Sequence, residues 1–466
     1  MHGKSRRVVS APVNPPLRGP VLLESVRKLL RKSAVGHCFN LLSKLRPADT
    51  AVLLRHLTDN EAKALFRILR ERDEGLAAAV LAETMTPPEA AVDLLAGLDA
   101  KQIAQMLNHF PADDAAELVS AMPEEMAEEI LGLLGKKELR EVEGLLHHEE
   151  ETAGRIMTPH FLALREDTSV GEAIQAIQSG ESLEMVFYLY VVDHHDHLIG
   201  VLSLRQLLMV GPDTKLCDIM TRDVVSVGAD RDQEEVARIV QRYDLLAIPV
   251  LDPENHLIGI ITIDDIIDVI RDEATEDFYR LVGTSEQERA LRSPWKSARV
   301  RMPWLIAPFL GGLLASLLVR HFSYLLEQVV LLAGFMPVIN GMGGNLGSQS
   351  ATITVRGLAT GRISPKHVGW LVFKEVRTAL IVGFTYGAVL VGVSGWLLDS
   401  YRLGLIIGIS LCVTMLVGVT FGSLLPVLFA KFRIDPAVAT GPFVTSSIDI
   451  VGIFTFFGLV SLLGFR

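Results

Sequence analysis

Cysteine is scarce in this 466-residue chain, and its three cysteines, Cys38, Cys217 and Cys412, lie far apart. That spacing suggests neither a disulfide framework nor a zinc site, and it fits a reducing cytosol for the soluble part. The N-terminus is basic (Lys4, Arg6, Arg7, Arg18, Arg27, Lys28, Arg31, Lys32) but lacks an apolar core of about 7–15 residues followed by a cleavage site. It does not read as a signal peptide. Residues 21–32 are expected to form a solvated first helix, with a membrane-surface amphipathic helix as the alternative. No basic face accompanies the formal net charge of −11, which argues against a nucleic-acid partner.

Acids become sparse after Pro303, and long apolar runs take over. The chain is in effect two different polymers joined near that residue, and its length predicts several domains. Five apolar segments follow, at about 303–326, 329–355, 368–398, 403–430 and 440–464. Each is long enough to cross a hydrocarbon core of roughly 30 Å. Lys296, Arg299 and Arg301 precede the first, Arg356, Arg362 and Lys366 follow the second, and Lys431 and Arg433 separate the fourth and fifth. The alternate loops hold only Arg320 and Arg402. Positive charge on one side predicts a cytosolic soluble part and, after an odd number of spans, a C-terminus outside.

From about residue 41 to 146 the pattern is helical and repetitive. Turn-and-cap signals recur at Pro47–Asp49, Thr86–Glu89, Asp99, Pro111–Asp114 and Pro123–Glu125, each followed by apolar residues at helical spacing. Short helices of this kind stack as a small solenoid or gather as an irregular bundle.

An internal repeat comes next. "RIMTPHFLAL" (155–164) returns as "DIMTRDVVSV" (218–227), and "YVVDHHDHLIGVLSL" (190–204) returns as "PVLDPENHLIGIITI" (249–263). Each copy runs strand, helix, strand, turn, strand, closing helix. The pattern resembles the cystathionine β-synthase (CBS) domain, which occurs as a pair. His194, His195 and His197 fall in the hairpin turn and read as solvated turn residues rather than metal ligands.

The polar stretch "GFMPVINGMGGNLGSQSATITVRG" (334–357) sits among the apolar segments. Pro337 removes a helical donor, and Gly341, Gly343, Gly344 and Gly347 loosen the helix beyond it. Backbone left unpaired in lipid is costly, so this pattern predicts irregular chain lining an enclosed cavity. Close packing of small residues is the competing explanation for the glycines. Asn340, Asn345, Ser348, Gln349 and Thr352 offer neutral oxygens along the opening. Asp449 lies in an otherwise apolar run, after Thr445, Ser446 and Ser447, with no Lys or Arg in that segment. A carboxylate there is expensive and marks a functional site, with a cation as its natural counter-charge. Oxygen ligands without Cys or His select a hard cation. Mg²⁺, which keeps most of its waters, suits a wide oxygen-lined site, although this chemistry leaves Ca²⁺ and Mn²⁺ open.

Two motifs, "PVINGMGGNLGSQSATITVRGLATG" (337–361) and "DPAVATGPFVTSSIDIVG" (435–452), are similar to the signature of the MgtE family of bacterial magnesium channels. The order of parts matches as well. The resemblance implies a multi-domain chain: a basic segment (1–40), an all-α superhelical N domain (41–150), an α/β CBS pair (151–270), a connecting helix (271–302) and a polytopic five-span pore domain (303–466). It implies a homodimer in the cell (inner) membrane, with the pore between subunits, closing when cytosolic Mg²⁺ is high. The pore aspartate falls on Asp449, and a second carboxylate, at the entrance to the fifth span, falls on Asp435. Sensor carboxylates fall on Glu234, Asp244, Asp265 and Asp268, then on Glu273, Glu276 and Asp277, and in the N domain on Asp113 and Glu117. Where the family has an acid beside a Phe late in span one, this chain has Phe322–Ser323. An ATP-type CBS signature survives in the second copy as Gly259, Thr262 and Asp265, with Arg205 a further candidate contact. The first copy has Gln206 in place of the aspartate, so ATP binding stays open.

Residues 263–281, "IDDIIDVIRDEATEDFYRL", join the repeat to the first span. Two carboxylates about 6 Å apart repel by roughly 3 kcal/mol at an effective dielectric near 20, so a compact arrangement of these acids needs cations between them. Mg²⁺ would supply them and bias a closed state. A membrane metalloprotease would need His-Glu-x-x-His within a span, and no span has it. A chloride channel with CBS domains would need many more spans. An ion-coupled exchanger of related architecture remains the alternative to a channel.

Overall fold

The computed structural model describes residues 19–85, 88–179, 187–284, 294–328, 330, 332–363, 368–432, 434–439 and 442–462. Lys4, Arg6, Arg7, Arg18, Lys366 and Arg433, singled out above, lie outside the described residues, as do Thr86 and residues 285–293 of the connecting segment. Two compact units result, Met1–Val269 and Ile270–Arg466.

The first unit opens with α1 (Gly19–Arg31), α2 (Val35–Leu42), α3 (Pro47–Arg55), α4 (Asp59–Arg72) and α5 (Glu74–Ala82). It continues with α6 (Pro88–Leu95), α7 (Ala100–Leu107), α8 (Ala112–Ser120), α9 (Glu124–Leu131) and α10 (Lys136–Leu146). Cap chemistry sets the starts: Asp99 accepts from Gln102 N at 2.8 Å to open α7, and Pro111 and Pro123 stand just before α8 and α9. From α2 onward each helix packs on the next but one, which is the arrangement of a solenoid rather than a bundle. Helix α1 packs one face into the stack and leaves Val21, Glu24 and Lys28 exposed on the other. Val26 is fully buried and Arg27 reaches Glu61 (3.4 Å) and the His56 carbonyl (2.9 Å), so the stack starts with α1 rather than near residue 41.

The CBS pair begins with α11 (Ala153–Ile156) and the first sheet, β1 (Ala163–Arg165), β2 (Tyr188–Val192) and β3 (Leu198–Ser203). Helix α12 (Val170–Ser179) precedes β2, while α13 (Leu204–Leu208) and α14 (Leu216–Ile219) follow β3. The second sheet is β4 (Val227–Gly228), β5 (Ala247–Leu251) and β6 (Leu257–Thr262), with α15 (Gln233–Tyr243) between β4 and β5 and α16 (Ile263–Leu281) closing the copy. In each sheet the first pairing is parallel and the second antiparallel.

The repeated "IMT" segments explain why the two copies belong together. Thr158 exchanges backbone hydrogen bonds with Ile260 of the other copy (2.8 and 3.0 Å), and Thr221 exchanges them with Val201 (3.0 Å each). Met157 fills the space beside Gly259, as Met220 does beside Gly200; a Cβ at either glycine would strike the sulfur. Each copy thus completes the other. The second copy also shares one apolar core with the helical stack, through residues such as Ile248, Val250 and Ile266, whereas the first copy keeps a separate core around Val191 and Leu202.

His197 departs from the solvated-turn expectation. It bridges His256 of the other copy with stacked rings 5.0 Å apart, and each imidazole leans on an aspartate four residues earlier, Asp193 (3.0 Å) or Asp252 (2.8 Å).

In the second unit α16 ends and α17 (Pro294–His321), α18 (Ser323–Gln328), α19 (Leu332–Ala359), α20 (Val368–Leu398), α21 (Tyr401–Lys431) and α22 (Pro442–Leu462) follow. Among the described residues, α17, α20, α21 and α22 are long and apolar enough to cross a membrane. That makes four, not five, by length and composition. The polar stretch forms the remaining long helix, α19, and it is continuous through Pro337 and the glycines. The expected irregular chain is absent because the glycine penalty, about 1 kcal/mol in water, is small beside the cost of unpaired backbone in an apolar setting.

Candidate functional site

Helix α19 has two faces. Ile339, Gly343, Gly347, Ser350 and Thr354 are buried and turned to neighbouring helices. A Cβ on Gly347 would meet the Gly418 carbonyl of α21 at 2.9 Å, and one on Gly418 would meet the Gly343 carbonyl at 2.6 Å. Close packing therefore accounts for these glycines. The other face carries Asn345, Gln349 and Thr352, all exposed in the single chain, with Ser348 half-buried beside them.

Asp449 is half-buried on α22, directly after Ile448, whose methyls lie against Gly343 and Gly347. Among the described residues no hydrogen-bond donor or cation meets its carboxylate. One turn further along α22, Gly452 leaves room for the Asn340 amide oxygen, which a Cβ at 452 would contact at 2.6 Å. The two motifs thus meet through α19 and α22, and Asn340 shares that contact.

Asp435 is placed differently from a free carboxylate at a pore entrance. One oxygen caps the short 3-10 turn Pro436–Ala439 by accepting from Ala437 N (2.8 Å), and the other pairs with Arg280 of α16. Arg280 also pairs with Glu276, one turn back. Burial, then repulsion from Asp435, raises the Asp277 carboxyl above its ordinary range, against Arg356 and Arg280. Three of the predicted acids, Glu276, Asp277 and Asp435, are thus gathered with two arginines.

In the first unit, Asp265 follows β6 and accepts from the Thr262 hydroxyl at 2.6 Å; Thr262 also donates to Asp264. Burial and then repulsion from Asp113 on α8 push the Asp265 carboxyl up to about 7. Asp113 of the N domain thus lies close enough to Asp265 for their charges to repel. Glu117 faces the Arg155 side of the same helix, where Arg155 bonds the Ala116 carbonyl (3.3 Å) and Ser120. Glu234 pairs with Arg238 (3.8 Å), and Asp244 ends α15 in a left-handed conformation. Asp268 and Glu273 lie further along α16. Among the described residues no three His, Cys, Asp or Glu side chains converge as a ready metal cage. In the first CBS copy Gln206 bonds back to the Ser203 hydroxyl (2.8 Å), and Arg205 is exposed.

Glu375 was not anticipated. It is 5 % exposed on α20 and accepts from Ser350 of α19 at 2.7 Å. Its flanking Lys374 and Arg377 make it look like an interfacial charge; the only sequence signal was an acid seven residues into an apolar run.

Residues 45–151 match the MgtE intracellular N domain, 153–213 and 216–272 match the CBS domain, and 336–459 match the divalent cation transporter family MgtE. Magnesium transporters MgtE of Enterococcus faecalis and Bacillus subtilis are 38 % and 37 % identical to it, covering 68 % and 67 % of this chain and 70 % and 69 % of theirs. The chain belongs to the MgtE family. A further MgtE, from Thermus thermophilus, is 37 % identical over 68 % of this chain and 71 % of its own. Two crystal structures are also similar, each 33 % identical at a TM-score of 0.49 and matched over 99 % of its length. One is the soluble part of a magnesium transporter, covering 55 % of this chain, and the other the cytosolic domain of the Mg²⁺ channel MgtE in complex with ATP, covering 53 %. MgtE proteins are transporters rather than enzymes, and the helical stack, CBS pair and membrane region described here follow the family order.

The Asp113–Asp265 contact gives a direct expectation. Asp265→Asn removes a repelled, half-buried charge, so in EDTA the full-length protein should melt about 1–2 °C higher if the relief is near 1 kcal/mol. Mg²⁺ should then raise the melting temperature less than it does in the wild type. Differential scanning fluorimetry across a Mg²⁺ series measures both; an unchanged Mg²⁺ response would remove Asp265 from the ligand set.

Proposed function

We propose that this chain is a Mg²⁺ channel of the cell (inner) membrane that closes as cytosolic Mg²⁺ fills its acidic sites. The observation that carries the reading is the meeting of α19 and α22, where Asn340 lies over Gly452 one turn from Asp449, which has no partner among the described residues. Asn345 and Gln349 lie on the other, exposed face of α19, roughly 140–180° round the helix from Asn340, and their oxygens join the path where a second copy covers that face. A polar helix face cannot rest against lipid, so a second copy of the chain would enclose it as a homodimer, with water and the ion between. The helix α19 is the fifth span in this reading, shielded from lipid on both faces. The N domain and CBS pair are then cytosolic and the C-terminus outside.

Gating belongs to the acids of α16 and their neighbours. Mg²⁺ between Asp113 and Asp265, or at Asp244, Glu234 and Asp268, would turn repulsion into attraction. At Glu276, Asp277 and Asp435 it would have to compete with Arg280 and Arg356. ATP, if bound, belongs to the second CBS copy, where Thr262 and Asp265 keep the signature; Gln206 closes the equivalent position in the first.

Mg²⁺ uptake by proteoliposomes tests the whole reading. Flux should proceed without an opposing Na⁺ or H⁺ gradient and fall as cytosolic-side Mg²⁺ reaches millimolar levels. Neutralising Asp265, Asp268, Glu273 and Glu276 together should flatten that inhibition while leaving dependence on Asp449. A gradient requirement would favour a coupled exchanger instead, and an unaltered inhibition curve in the quadruple variant would take the sensor away from α16.

A further inference from the structure

A buried carboxylate inside a bundle of apolar helices is costly, and Glu375 has no part in the cation path described above. Its side chain is 7 % exposed, and Lys374, itself half exposed, approaches one oxygen at 3.4 Å. The other oxygen accepts from Ser350, which is 1 % exposed. Thr354, fully buried one turn on, donates to the Ser350 carbonyl at 2.8 Å. This arrangement fixes a point on the packed face of α19, the face opposite Asn345 and Gln349.

The rest of that face explains why such a point is needed. Gly343 and Gly347 lie against Gly418 and Gly422, so on the α21 side backbone meets backbone, with the Thr414 methyl seated at Gly343 and Ile448 of α22 at both glycines. Knobs seated in holes are what normally fix the rotation of one helix on another. A glycine contact allows close approach but resists rotation weakly. A hydrogen bond to a charged acceptor, stronger than a neutral one and short of competitors in a dry interior, resists it well.

We infer that Glu375 is a positioning residue for the ion path, which through Ser350 sets the rotation of α19 and so the direction in which Asn345 and Gln349 point. This rests on the proposed channel reading for its functional consequence but not for its structural one. Glu375→Gln keeps an acceptor for Ser350, whereas Glu375→Leu and Ser350→Ala each remove the bond with little change of volume or of charge on α19 itself.

Two measurements test it on the full-length protein. In proteoliposomes the Mg²⁺ over Ca²⁺ flux ratio should fall about tenfold in Glu375→Leu and in Ser350→Ala, fall no further in the double variant, and stay near wild type in Glu375→Gln. Separately, Asn345→Cys should react with a hydrophilic maleimide at least threefold more slowly when Glu375→Leu is added, after subtraction of labelling at Cys38, Cys217 and Cys412. This second measurement needs no transport, so it stands even if the wild type conducts no Mg²⁺. Reduced folded yield with an unchanged flux ratio, or an unchanged labelling rate, would overturn the inference and leave Glu375 a packing residue. Should Glu375→Leu fail to fold, Ser350→Ala decides both measurements alone.

Discussion

Asp449→Ala will lower Mg²⁺ flux by at least about 50-fold while leaving a folded, monodisperse protein. A dication about 5 Å from a carboxylate gains roughly 7 kcal/mol at an effective dielectric near 20, and a third of that already gives this factor. The carboxylate has no partner on its own chain among the described residues, so removing it leaves no orphaned cation or donor behind. Its loss should therefore be a loss of ion binding, not of structure. Uptake in proteoliposomes and thermal unfolding in detergent, measured on one preparation, separate the two. Flux within twofold of wild type would sink Asp449 as the principal charge of the path.

The second large effect is structural. Gly422→Val should abolish recovery of the folded membrane unit, because a Cβ there lands on the Gly347 carbonyl oxygen of α19. Overpacking of ordinary side chains costs about 1–3 kcal/mol, and here the obstacle is backbone that cannot change rotamer. Gly458→Ala is the control, since a Cβ there meets nothing within 4 Å. Fluorescence-detected gel filtration should show aggregate for Val at 422 and a wild-type peak for Ala at 458. A monodisperse, normally melting Gly422→Val protein would mean that α19 and α21 do not approach this closely.

These two residues show what could be read before the fold was known. Asp449 stands out in the sequence because one carboxylate in an apolar run has few explanations. The CBS repeat was legible because each copy repeats its strand, turn and methionine signals, and the reciprocal Thr158–Ile260 and Thr221–Val201 pairings follow from that duplication. The state of residues 334–357 was not. Helix propensity measured in water argued for a break at Pro337 and the glycines, but the contacts with Gly418 and Gly422 lie 60 residues or more away in sequence. Glu375 was hidden for a similar reason: its neighbours Lys374 and Arg377 suggested a surface, while its burial depends on Ser350 of another helix. Likewise Asp435 reads as a free ligand until Arg280, 155 positions earlier, is seen beside it. His197 looked like part of a turn, and only the pairing of the two copies brings His256 against it.

Helix α16 carries a mechanical consequence. It is one uninterrupted helix of 19 residues with Thr262 and Asp265 at its start and Arg280 in its last turn. At about 1.5 Å per residue, some 22 Å separate Asp265 from Arg280. A rigid rod of that length, tilted about 10° at one end, displaces the other by roughly 4 Å, more than the reach of an ion pair. In the proposed gating, a small angular adjustment near Asp265 would then be enough to make or break the Arg280–Asp435 bond, with α16 serving as a lever arm with gain rather than as a tether.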